Sequence, residues 1–223
     1  MCGRYSLVAN LQDLEKRFDF SGVSISYQSR FNVAPSQAVL SVTNNGSSNE
    51  VGLMKWGLIP RWSKDTKMAS SMINARAESI DQMVSFKEPF LKRRCLIPAD
   101  GFYEWTTNND QKVPMRITLK SGEPFGFAGL WETWLSNNTD PITTCTIITT
   151  KANELMAPIH HRMPVILPRE SEDIWLDPSN KDPKLLKELL SQYPSGEMEA
   201  YTVSTLVNSP SNDSPDVIAR YNP

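Results

Sequence analysis

Segments patterned as strands outnumber those patterned as helices in this chain, and the two kinds do not alternate, which constrains the fold more than any other feature. The clearest strand is the β-branched run over residues 143–150. Residues 39–43, 51–58, 94–97, 101–106, 115–119 and 125–130 carry similar bulky, extended patterning. An Asn- and Ser-rich turn around Gly46 predicts a hairpin between 39–43 and 51–58. Asn10 is placed to cap a short helix bearing Leu11, Leu14 and Phe18 on one face. Further helices are predicted over 76–83, 168–175 and 183–193, the last with Leu185, Leu186, Leu189 and Leu190 on an apolar stripe behind a proline. Regular alternation would imply a parallel sheet with crossover helices; its absence predicts an α+β fold of mostly antiparallel sheets with flanking helices. No repeat or Pro/Gly/Ser linker divides the chain, so residues 1–223 are expected to form a single domain with a sizeable core.

Hydrophobic residues make up 39% and charged residues 22%, a balance that excludes disorder as the dominant state. No apolar run approaches a membrane span, and the N-terminus lacks the basic-then-apolar pattern of a secretion signal. The expectation is therefore a cytoplasmic protein with no membrane partner, a monomer by default. Cys2, Cys95 and Cys145 match no zinc spacing and leave an odd thiol in any disulfide scheme, which suits a reducing compartment. With His160 and His161 the only histidines, neither a metal nor another cofactor is expected.

The net charge of −2 hides an uneven distribution. Residues 55–94 carry nine basic and four acidic side chains, whereas 95–223 carry ten and seventeen. The basic stretch, from Lys55 through Arg61, Arg76, Arg93 and Arg94, is interleaved with Trp56, Trp62, Phe86 and Phe90. Cations among aromatics suit a single-stranded nucleic acid, with phosphates paired and bases stacked; a solvated face over a core is the alternative.

The opening Met1-Cys2-Gly3-Arg4-Tyr5 carries its own chemistry. Removal of Met1, which the small Cys2 side chain permits, leaves an α-amine and a thiol on one residue. The α-amine has a reference pKa of about 7.7 to 8.0, so roughly a tenth or more is neutral at pH 7. A neutral amine attacks an aldehyde to give an imine, and the adjacent thiol can close onto the imine carbon to give a thiazolidine. Cys2 could equally be a small hydrophobe buried in a strand.

Three further polar residues have bulky neighbours: Asn74 in Met72-Ile73-Asn74-Ala75-Arg76, Glu104 in Phe102-Tyr103-Glu104-Trp105, and His160 in Pro158-Ile159-His160-His161-Arg162. Glu104 belongs either to a polar strand face or to a desolvated cleft, where its pKa would rise toward neutrality. His160 is either a structural residue or a proton shuttle. Asn74 could be a turn residue.

Taken together, Met1–Tyr5, Arg30-Phe31-Asn32-Val33-Ala34-Pro35, Trp56-Gly57-Leu58-Ile59-Pro60-Arg61-Trp62, Ile73–Glu78, Ala99–Trp105, Ile159-His160 with Arg162-Met163-Pro164, Val203-Ser204 and Val207-Asn208-Ser209 resemble the SOS-response-associated peptidase family of abasic-site processing proteins. That family is related to the vertebrate 5-hydroxymethylcytosine-binding protein of embryonic stem cells. The resemblance implies one α+β domain that binds single-stranded DNA and crosslinks covalently to abasic sites, with possible lyase and autopeptidase activity. It implies a nucleophile at Cys2 and supporting roles for Asn74, Glu104 and His160. DNA contacts are implied at Gly3, Arg4, Pro35, Trp56, Trp62, Arg76, Thr149 and Arg162. The chain departs from relatives at His161, where many carry an acidic or amide residue, and near Val84, where some carry an arginine. Two other enzyme readings use the same cysteine: a thiol peptidase, and an N-terminal-nucleophile glutamine amidotransferase. A non-catalytic DNA-binding module, for which Cys2 is incidental, is the third alternative.

Overall fold

Asn10 caps the first helix as its side chain predicts: Oδ1 accepts the Asp13 N–H at 2.9 Å, and α1 (Leu11–Phe18) buries Leu14 and Phe18. The computed structural model describes residues 2–21, 25–108, 110–136 and 139–221. Its strands are β1 (Tyr5–Leu7), β2 (Arg30–Val33), β3 (Ala38–Asn44), β4 (Asn49–Trp56), β5 (Asn74–Arg76), β6 (Arg94–Ala99), β7 (Gly101–Asn108), β8 (Gln111–Leu119), β9 (Phe125–Ser136), β10 (Thr139–Lys151), β11 (Arg162–Pro164), β12 (Ile166–Leu167) and β13 (Met198–Thr202). The remaining helices are α2 (Val84–Lys92), α3 (Arg169–Leu176) and α4 (Pro183–Glu188).

The strands form two sheets, so the α+β expectation holds. One has the order β13–β8–β7–β1–β2 with every neighbouring pair antiparallel. In the other, β10–β4–β3–β6–β9 is a hydrogen-bonded circuit, because β9 also pairs with β10 and closes it into a barrel. Its parallel pairings are β10 with β4 and β10 with β5. Between the sheets, the Tyr5 ring lies 5.5 Å from Trp56 and 5.8 Å from Phe127, and Phe127 also meets Phe102 and Phe125 edge-on.

The last turn of β10 positions the site. Ile147–Thr149 pair with Asn74–Arg76 of β5, and Thr149–Lys151 pair with Arg162–Pro164 of β11. One strand thus aligns two segments that lie far apart in the chain.

Two expected helices differ. Residues 76–83 are not a helix: Arg76 ends β5, and only a 3-10 turn at Ala77–Ser79 follows. Pairing with β10 holds that backbone extended, a tertiary contact that outweighs local propensity. The true helix, α2, starts at Val84 and contains Pro89, which reads in sequence as a breaker. Phe86, Pro89 and Phe90 are buried along it, and that packing compensates the missing N–H. The other helix, α4, stops at Glu188 rather than 193, with Asp182 capping its start.

The strand predicted over 51–58 ends at Trp56 because Gly57 takes φ +128°. A Cβ there would meet the Ala69 carbonyl oxygen at 2.7 Å, a backbone atom that cannot rotate away. Gly57→Ala should therefore lower stability by roughly 3 kcal/mol, through left-handed strain and overpacking together. Thermal unfolding should show Tm falling by roughly 6–12 °C. An unchanged Tm would mean that the turn relaxes freely.

Candidate active site

Cys2 lies in the extended chain leading into β1, which runs antiparallel to β7: Tyr5 faces Phe102, Ser6 faces Gly101, and the Tyr103 N–H donates to the Arg4 carbonyl at 2.9 Å. This pairing draws the residues from Cys2 to Arg4 alongside β7. Cys2 is 0% exposed and Glu104 4%. Burial pushes the Cys2 thiol well above the ordinary thiol range, and the Glu104 charge pushes it further, while the Arg4 backbone N–H pulls weakly the other way. Burial also raises the Glu104 carboxyl from 4.5 to about 7. The thiol is therefore protonated at neutral pH, beside a carboxyl poised between its acid and base forms.

Asn74 opens β5 opposite Ile147, its Nδ2 donating to the Ile147 carbonyl at 3.4 Å. Its Oδ1 is buried with no hydrogen-bond partner among the described residues, an acceptor left for an incoming hydroxyl or N–H. Trp56 holds this segment from behind. The indole is 1% exposed and donates to the Ile73 carbonyl at 2.8 Å, so it anchors the residue before Asn74 and presents no open ring face. Through its ring contact with Tyr5, Trp56 also couples this half of the site to the strand that follows Cys2.

His160 is half-buried, and its Nδ1 lies 3.0 Å from the Arg162 backbone nitrogen and 3.1 Å from the Arg162 carbonyl oxygen. Nδ1 accepts the N–H when the ring proton sits on Nε2 and donates to the carbonyl when Nδ1 carries it. Burial lowers the His160 pKa below 6.5, so the neutral ring dominates at pH 7. His161 is exposed and stacks on it with ring centroids 4.3 Å apart. The loop carrying His160 touches β7 through Thr106 Oγ1, which donates to the Pro158 carbonyl at 3.4 Å. Arg162 is buried: its fork grips Glu78 at 2.6 and 2.9 Å, and Nη2 reaches the Thr149 carbonyl at 2.6 Å. In this arrangement Arg162 and the buried Thr149 brace the wall between β10 and β11. Arg76, in register with Thr149, is exposed and makes no ion pair among the described residues.

Gly3 and Arg4 are half-buried beside Cys2, with the Arg4 guanidinium 5.9 Å from the Trp105 ring centroid. Pro35 is half-buried in the β2–β3 connection, where the next residue, Ser36, donates to the Trp56 carbonyl at 2.8 Å. Trp62 is 56% exposed on the loop after β4, where the neighbouring Ser63 carbonyl accepts the Trp134 indole N–H at 2.8 Å.

The basic stretch divides. Arg61, Lys64, Lys67, Arg76, Lys87 and Lys92 are exposed, but Arg93 and Arg94 are buried, and so are Trp56, Phe86 and Phe90. As a continuous electropositive, aromatic-lined surface it is corrected by the fold: Arg93 pairs with Glu132 at 2.8 Å, and Arg94 satisfies backbone carbonyls. Charge counted along a sequence carries no information about burial. Sequence reasoning also missed Glu78, which neutralises Arg162, and Asn208, whose Oδ1 accepts the Trp105 indole N–H at 2.7 Å.

Fold and site together describe a sheet-rich protein in which a buried thiol in the chain leading into β1 lies beside a buried carboxyl on β7. Residues 1–210 match the family model described as SOS response associated peptidase (SRAP), and the chain belongs to that family. It is 51% identical over 221 residues to the Bacillus subtilis abasic site processing protein YoqW, covering 98% of this chain and 99% of that one. It is 33% identical over 193 residues to the Gallus gallus abasic site processing protein HMCES, covering 74% of this chain and 56% of that protein. Among solved structures, a Bacteroides thetaiotaomicron protein superposes with a TM-score of 0.91 at 31% identity, over 99% of this chain and all of the other.

Proposed function

We propose that this chain processes abasic sites in single-stranded DNA by forming a covalent adduct through Cys2 after Met1 is removed. The observation that carries the proposal is a buried, protonated Cys2 thiol in the chain leading into β1, beside a Glu104 carboxyl near pKa 7 on β7. The naming of its relatives as abasic site processing proteins supports the choice of substrate.

The ring-opened abasic sugar offers an aldehyde at C1′ that no intact nucleotide has. The neutral α-amine of Cys2 attacks this carbon, forming a carbinolamine. Glu104 in its acid form protonates the departing hydroxyl, water leaves, and the C=N bond of an imine forms. The thiol sulfur then bonds to C1′ as its proton passes, with the Glu104 carboxylate as relay, to the imine nitrogen. The product is a thiazolidine, and the net change is protein plus DNA minus one water. Asn74 Oδ1 accepts a hydrogen bond from the sugar, and neutral His160 assists ring opening from the opposite wall. Before the ring closes, the imine also makes elimination of the 3′ phosphate accessible, a lyase side reaction. Amine attack first, thiol second, is the order that a buried thiol favours; a thiol peptidase needs a thiolate, which burial opposes.

Mass spectrometry under denaturing conditions tests the proposal, using Met1-free protein incubated with a single-stranded oligonucleotide bearing one abasic site. The expected species has the mass of protein plus DNA less one water, maps to Cys2 and is absent from a Cys2→Ala control. Its absence from protein proven to lack Met1 would refute the aminothiol mechanism.

A further inference from the structure

The segments Arg30–Pro35 and Val207–Ser209 hold no part of the chemistry above, yet they meet at Arg4. Asn32, on β2, is 0% exposed, and all of its side-chain polar atoms are engaged. Oδ1 accepts Arg4 Nη1 at 2.8 Å, and Nδ2 lies 3.2, 3.0 and 2.7 Å from the carbonyls of Val207, Ser209 and Asn212. Arg4 Nη1 also donates to the Val207 carbonyl at 2.6 Å. Asp213 fixes this arrangement from the other side, accepting the Asn32 backbone N–H at 2.9 Å. A single buried amide thus ties the C-terminal segment to the strand beside Cys2 and grips one end of the Arg4 guanidinium.

The other edge of that guanidinium is left unpaired among the described residues. Nε is buried without a hydrogen-bond partner, and Nη2 makes no hydrogen bond among the described residues. Nε–H and Nη2–H lie on the same edge of the planar group, in the fork spacing that two oxygens of a carboxylate or phosphate accept together. Arg162 and Arg93 also have unpartnered Nε atoms, but in both the Nη2 is already bound to an acidic side chain. Arg4 therefore differs from both in keeping a complete bidentate edge.

We propose that Asn32 is a positioning residue for DNA capture: by holding Nη1 of Arg4 and the 207–212 segment, it presents the Nε/Nη2 edge to a backbone phosphate beside the abasic sugar. This rests on the single-stranded DNA reading above. The phosphate supplies the acceptors that the buried Nε lacks, and Asn32 spares the guanidinium from ordering itself when the strand arrives.

The test is a double-mutant cycle on noncovalent affinity. The probe is a fluorescent single-stranded oligonucleotide containing a tetrahydrofuran abasic analogue, which has no aldehyde and cannot crosslink. Arg4→Ala should weaken Kd by roughly 10-fold or more and make the salt dependence shallower by about 0.7 in log–log slope. Asn32→Ala should reproduce most of the affinity loss, and the double variant should be no weaker than Arg4→Ala alone. Additive losses, or unchanged affinity in a folded Asn32→Ala protein, would overturn the positioning role while leaving the DNA reading intact. Failure of the unmutated protein to bind the probe would overturn both. Should Asn32→Ala not fold, Arg4→Lys decides: a lysine as weak as the alanine supports a forked contact, and a lysine that retains affinity rules it out.

Discussion

Replacing Glu104 with glutamine should slow formation of the Cys2–abasic adduct by roughly 10²–10⁴-fold, the range expected when a positioned proton donor and acceptor is lost. Glutamine keeps the shape and the hydrogen-bonding capacity of the side chain but cannot ionise, so the loss isolates proton transfer from packing. The pH profile carries the sharper signature. With a pKa of about 7, the unmutated carboxyl would supply, below neutrality, the acid form that expels water in the proposed mechanism. The neutral α-amine grows in as pH rises toward about 8. Their product is a bell with its maximum near pH 7 to 8. In Glu104→Gln the falling alkaline limb should vanish, leaving a low rate that rises with the amine alone. Single-turnover crosslinking across a pH series measures this, and an unaltered bell would remove Glu104 from the chemistry.

The same substitution should move stability in the opposite direction. A carboxyl raised from 4.5 unfolded to about 7 folded makes no contribution below pH 4.5, where both states hold the proton. Between 4.5 and 7 the unfolded state ionises while the folded state does not, so unmutated stability falls as pH rises, by up to about 3 kcal/mol. Glu104→Gln lacks this decline and should be the more stable protein above pH 7. Lost activity with gained stability is the pattern of a residue held in an unfavourable environment for its chemistry. A structural residue would lose both.

How far the chain could be read from its sequence depends on where the controlling interactions lie. The β3–β4 hairpin was legible because its turn chemistry is local: Asn44 and Asn45 side chains bond the Gly46, Ser47 and Ser48 amides within the turn. The β-branched run of β10 was legible for the same reason. By contrast, β5 has three residues, and its strand partner among the described residues lies some seventy positions away, so nothing local distinguishes it from the start of a helix. Proline at position 89 concealed α2. At the site, the chemistry available to Cys2 follows from its position in the chain, but the burial that sets the charge state of Glu104 does not, since alternation along β7 leaves either face possible. Asn32 stands in one of the motifs that carry the family resemblance, but its role is not legible there, because its partners are mostly backbone carbonyls more than a hundred residues downstream.

Arg94 shows the limit most plainly, and it supplies the largest stability effect expected from a basic residue here. By charge it belongs with the phosphate-binding candidates; by position it is 5% exposed and donates to four carbonyls, those of Trp175 at 2.6 Å, Phe90 at 3.0 Å, Asp177 at 2.5 Å and Asn180 at 2.9 Å. These oxygens lie at the C-terminal ends of α2 and α3 and in the turn beyond α3, where helices leave carbonyls unsatisfied and a cation opposes the helix dipole. The guanidinium also lies 5.7 Å from the Trp175 ring centroid. Arg94→Met keeps much of the volume and removes every donor. Stranding several buried acceptors should cost roughly 4 kcal/mol, with water entry offsetting part of the penalty. Tm should fall by roughly 8–16 °C. The salt dependence of binding to the tetrahydrofuran oligonucleotide should stay unchanged, because Arg94 never meets the strand. Arg76→Ala is the contrasting variant: exposed on β5 and unpaired, it should leave Tm within about 2 °C and make the salt slope shallower by about 0.7. A shallower slope in Arg94→Met at a temperature where it remains folded would place that arginine on the DNA after all, and would mean that the helix ends it now holds together open when the strand binds.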